Sequence, residues 1–129
     1  MKIAEVIYST TANKCPRCHT GKVFSVNNPF LFNKSFQMEK DCTSCNLHYD
    51  REPGFFYGAM YVSYALTVAI LVIWFISDLL WMHLAPEILF GIVVLNVLIL
   101  FPIIFRWSRI IWLNFFYKYN NSVLQKQNN

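Results

Sequence analysis

Cys15 and Cys18, followed by Cys42 and Cys45, form two Cys-x-x-Cys pairs. Four thiols in that arrangement predict one structural zinc ion per chain, held by all four cysteines. A closed four-thiolate shell leaves no coordination position for a substrate, so such a site stabilises and does not catalyse. In a module this small the metal supplies much of the folding free energy. The competing readings are four unrelated thiols or a redox-active Cys-x-x-Cys, and two pairs at ribbon spacing favour zinc over both.

The turns around the pairs are knuckle-like. Each needs a residue tolerant of positive φ just past its second cysteine, so that backbone N–H groups can turn toward the sulfurs. His19 and Asn46 occupy those positions, with Gly21 two residues beyond His19. Between the knuckles, residues 22–26 and 36–39 alternate enough to predict two short strands, with the turn marked by Asn27-Asn28-Pro29. The expected fold is therefore a small zinc-ribbon-like β module over residues 14–52, behind a lead-in strand or single turn at 1–13. His19 and His48 are assigned to the knuckle surface, since the four thiols already complete a ligand set.

Next comes a change of solvent. Between Phe55 and Phe105 the only formal charges are Asp78 and Glu87. Phe55 to Ile76 is long enough as a helix to cross a hydrocarbon core of about 30 Å, and Ile88 to Phe105 just suffices. Ser77 to Glu87 allows only a tight hairpin, giving a two-helix transmembrane unit over 53–106. Asp78, His83 and Glu87 in that turn read as solvated groups rather than a second metal or proton site. Pro102 stands near the expected end of the second span and can kink it. Asn96, midway along this span, needs a hydrogen-bond partner, for which Tyr61, Ser63, Tyr64 and Thr67 are the candidates. Residues 107–129 form an aromatic interfacial tail that either prolongs the second span or lies on the membrane, ending in a polar, frayed stretch from Asn120.

Composition agrees with a membrane protein, at 56% apolar and 14% charged residues. The net charge of +4 overstates the basic character, because a zinc ion with four thiolates carries a formal −2. Residues 1–54 hold seven Lys/Arg and five Asp/Glu, so the metal-loaded head is close to neutral. That argues against a nucleic-acid interface, which needs a basic face, and weakens the reading of a membrane-tethered nucleic-acid-binding ribbon. The hairpin turn has no Lys or Arg, whereas head and tail share all eleven. By the positive-inside rule both termini face the cytoplasm, where thiols stay reduced and serve as ligands rather than disulfides.

Two surfaces are candidates for partners. Gly54, Gly58, Ala65 and Ala69 fall on one narrow wedge if the first span is helical throughout, and small residues let a second helix approach closely. Phe30-Leu31-Phe32 lie in the loop of a head too small to bury three large apolar side chains. They are assigned to a partner, with the membrane interface as the alternative.

The knuckles together with Glu52-Pro53-Gly54-Phe55-Phe56-Tyr57-Gly58-Ala59-Met60-Tyr61 resemble the bacterial family labelled "domain of unknown function 983", in the version found in Bacteroidota, from about Cys15 to the second span. The resemblance implies paired cysteines, two spans, the bacterial inner membrane and no assigned activity. His19 and Asn46 depart from the glycine usual after each knuckle. Some relatives are encoded near haem-copper oxidase assembly genes. The expected function is thus a non-enzymatic accessory subunit or assembly factor of a larger membrane complex. An integral membrane partner or a second copy is expected, with no small-molecule substrate. The alternative is a protein that handles or delivers metal for a membrane oxidase.

Overall fold

The computed structural model describes residues 2–126. In chain order its helices are α1 (Ile3–Thr11), the single-turn α2 (Phe32–Ser35), α3 (Tyr57–Ser77), α4 (Pro86–Phe116) and α5 (Ser122–Gln125). Helix α3 runs on through a π-helical segment, Asp78–Met82. The two resulting rods, Tyr57–Met82 and Pro86–Phe116, are long and apolar enough to cross a membrane. They measure about 39 Å and 46 Å, more than a hydrocarbon core requires.

The turn between them is capped by Asp78. Its backbone carbonyl accepts the His83 N–H at 3.0 Å and its carboxylate accepts the Leu84 N–H at 2.9 Å. His83 is left-handed, φ 46°, which ends the rod abruptly. Asp78 is therefore a structural cap. Pro86 then opens α4 at a position where a missing N–H costs nothing.

Helix α4 does not stop at Phe105. It continues through the buried Pro102 to Phe116, so the aromatic stretch after Trp107 prolongs the same helix. Its last four turns leave the apolar rod and enter the head. There Ile110 and Leu113 join Cys15, Cys18, Val23, Phe24, Cys42, Cys45, Leu47 and Tyr49 in one buried cluster. Of the tail expected to be frayed, residues 122–125 form α5, while 127–129 lie outside the described residues.

Two expectations for the head are corrected. The lead-in is a nine-residue helix, α1, rather than a strand or single turn. Its inner face carries Ser9, Thr10 and, just beyond its end, Asn13. The hydroxyls of Ser9 and Thr10 donate to the Val6 carbonyl at 3.2 and 2.6 Å, so burial leaves them satisfied.

The second correction concerns the sheet. No strand occurs among the described residues, and the β module is reduced to isolated antiparallel bridges, Lys14–Lys22, Phe24–Met38 and Asp41–His48. On one side of Phe24 the segments meet through Glu39 N–H to Val23 O at 2.9 Å. On the other side the Asn13 side chain takes both backbone groups of Phe24, each at 3.1 Å. One amide stands in for a neighbouring strand, and pairing ends there.

Candidate metal centre

Each cysteine pair sits at the tip of a one-bridge hairpin, and the two tips are built alike. Cys15 N–H donates to Gly21 O and His19 N–H to Cys15 O, both at 2.9 Å. In the second tip Cys42 N–H donates to Leu47 O and Asn46 N–H to Cys42 O, again at 2.9 Å. His19 and Asn46 adopt φ of 55° and 52°, the left-handed conformation expected just past each second cysteine. Histidine and asparagine therefore fill the glycine position without loss of the turn.

The four cysteines are buried and free of disulfides. Their sulfurs all lie within 4.8 Å of one another, with Cys15–Cys45 at 3.9 Å and Cys18–Cys42 at 3.6 Å. A zinc ion bound tetrahedrally to four sulfurs at about 2.3 Å sets them about 3.8 Å apart. The cluster fits such an ion. Each pair contributes one sulfur to each close approach, so the two hairpin tips are interlocked rather than side by side.

Electrostatics gives the same reading. Burial pushes the Cys15 thiol up to about 11, and raises Cys45 as well. At Cys42 burial also acts upward, but the N–H groups of Ser44 and Cys45, the Tyr49 hydroxyl and Cys18 outweigh it and bring the thiol down to about 7. Cys42 ionises readily while Cys15 and Cys45 resist adding further negative charge. A bound dication removes that conflict and lets all four ionise together.

Two further residues complete the site, the first of them passed over by sequence reasoning. Tyr49 is fully buried, its hydroxyl donating to Lys22 O at 3.2 Å and lying against the sulfurs of Cys15 and Cys42. Such an outer contact orients the ligands. Gly21 is the second, since a Cβ there would stand 2.3 Å from the Cys42 sulfur. Its hydrogen in place of a side chain is what lets one knuckle seat on the other. His48 instead pairs with Asp41 at 2.6 Å on the exposed surface. His19 stacks on Tyr119 at 4.4 Å, with Tyr8 on its other flank at 5.3 Å.

The centre is fastened to α4 by polar contacts. Buried Arg106 donates to Asn27 O at 3.1 Å and to Val26 O, with its guanidinium 4.7 Å from the Phe24 ring. Buried Asn114 donates to Ser9 Oγ at 2.9 Å, which ties α1 to the same helix. Trp112 Nε1 donates to Phe55 O at 2.8 Å and so closes the entry to α3.

The proposed small-residue wedge divides. Gly54 precedes α3 at φ 88°, in a turn and off the helix. Gly58 is on the helix, but a Cβ there would meet the Trp112 ring at 2.0 Å, so this chain's own α4 uses that close approach. Ala65 and Ala69 are exposed. Phe30, Leu31 and Phe32 are also exposed, at and just before α2. Ser63 and Thr67 donate to carbonyls of their own helix, Met60 O and Ser63 O, and neither they nor the nearby tyrosines bond Asn96.

No curated protein and no solved structure matches the chain. Residues 32–117 match the family described as protein of unknown function (DUF983). The match begins after the first cysteine pair, later than the resemblance from Cys15 implied. With its second knuckle, both long helices and the extension of α4 within that match, the chain belongs to the DUF983 family.

Proposed function

We propose that this is a small integral membrane protein whose zinc-bound head presents a fixed surface to a partner at the cytoplasmic face. It works by contact, as an accessory subunit or assembly factor. One observation carries the reading: all four thiols are buried in the core that joins the head to α4. A site placed there holds a shape, because removing its ion would dismantle the packing around it. The metal-delivery alternative needs thiolates that a receiving protein can reach, and burial argues against it. The far turn, residues 77–87, carries no Lys or Arg while head and tail hold all eleven, which supports a cytoplasmic location for both termini. The exposed Ala65 and Ala69 remain available for a neighbouring helix.

The test is purification from native membranes in mild detergent, followed by exposure to a weak chelator. A contact protein brings down a defined membrane partner and keeps its zinc. A chain that purifies alone and gives up its zinc to the chelator is a metal carrier instead.

A further inference from the structure

We infer that the segment from Val26 to Phe36 is a third membrane element, an apolar tip that rests in the headgroup region of a lipid bilayer beside α4. The inference rests on the proposed membrane insertion of α3 and α4.

The tip is held at a defined height. From Pro86 to Phe105 is twenty residues, a rise of about 30 Å that matches one hydrocarbon thickness. Both ends of the segment are pinned at the head-side limit of that stretch. Arg106 binds the carbonyls of Val26 and Asn27. Ten residues later the Phe36 ring packs on Phe105 at 4.9 Å and on Phe101 at 6.2 Å. At the same end of α3, Tyr57, Tyr61 and Tyr64 are exposed, the side chains expected where a helix leaves the hydrocarbon.

Between the pins the chain shows Phe30, Leu31 and Phe32 at 49%, 53% and 66% exposure. Three adjacent large apolar groups are unfavourable in water, and the height at which they are held brings them to the lipid boundary. The backbone is prepared for it. Phe30 N–H is taken by Asn28 Oδ1 at 3.1 Å, Ser35 N–H by Leu31 O at 2.8 Å, and buried Ser35 Oγ donates to Pro29 O at 2.6 Å. Polar groups satisfied inside the loop lower the cost of leaving water. Lys34 is the one charged residue from Pro29 to Met38 and is exposed, suited to a lipid phosphate.

The experiment uses the full zinc-loaded chain in vesicles of equal parts phosphatidylcholine and phosphatidylglycerol. A benzophenone amino acid replaces Phe32, Ile73 in mid-span, or His48 on the exposed knuckle, and products are weighed after irradiation. The inference expects lipid adducts from positions 32 and 73, each several-fold above position 48. An adduct at 73 without one at 32 overturns the inference and leaves the spans standing. Capture of a second copy of the chain from position 32 also overturns it. Lipid adducts at neither 32 nor 73 would remove the membrane reading itself, and the inference with it.

Discussion

The two halves of α4 have much the same apolar composition and very different surroundings. From Pro86 to Phe101 the helix runs beside α3, with Phe36 reaching it at Phe101, and shows large apolar side chains such as Phe90, Leu95, Leu98 and Phe101. From Pro102 to Phe116 it buries Ile104, Ile110 and Leu113, but also Arg106, Ser108 and Asn114. The first half is organised by its solvent, the second by specific polar partners. One continuous helix thus offers a span-like apolar rod at one end and the floor of the four-cysteine module at the other. What separates the two halves is a few polar residues, Arg106, Ser108 and Asn114, that the second half buries.

That contrast can be broken most severely at the metal. Cys45→Ser should abolish zinc binding and unfold the head, since structural zinc sites supply on the order of 10 kcal/mol or more. Limited proteolysis would then cut freely between residues 2 and 52, while circular dichroism keeps the signal of α3 and the exposed half of α4. Loss of that helical signal as well would mean that the halves are not separable.

Next in size is Arg106→Leu, which removes two charge-assisted bonds to carbonyls and the contact with Phe24. A cost of about 2–4 kcal/mol is expected, read as a lower thermal midpoint in detergent. The matched change Leu98→Ala, at an exposed site on the other half, should cost far less.

The glycines sharpen the comparison further. Gly58→Ala drives a methyl into the Trp112 ring, 2.0 Å away, and should destabilise by about 1–3 kcal/mol through overpacking. Rotation of the indole would also break its bond to Phe55 O, visible as a shift in tryptophan fluorescence. Gly91→Ala, with nothing within 4 Å of the added carbon, should be neutral or stabilise by up to about 1 kcal/mol. Equal effects at both positions would contradict the packing described.

Much of this was legible in the chain. The Cys-x-x-Cys pairs located the four clustered cysteines, the left-handed residues at 19 and 46 followed from knuckle geometry, and runs without charges marked the two long helices. What escaped detection was polar. The inner face of α1 is Ser9 and Thr10, with Asn13 just past its end, all invisible to any search for apolar periodicity. Asn13 takes both backbone groups of Phe24 on the edge away from residues 36–39, within the stretch whose alternation predicted a strand. Arg106 and Asn114 look like the charged and polar flank of a span, yet they are the fasteners of the head. Gly54 and Gly58 share a wedge only if one helix contains both. The Pro53-Gly54 turn places Gly54 outside, and Trp112, fifty-four residues further along, claims Gly58.

The central claim is a closed structural centre built from four sulfurs, and X-ray absorption at the zinc edge of the purified full-length protein tests it most directly. One zinc per chain with four sulfur neighbours at about 2.3 Å is the expected result. A first shell containing nitrogen or oxygen, or a preparation without zinc, would contradict it.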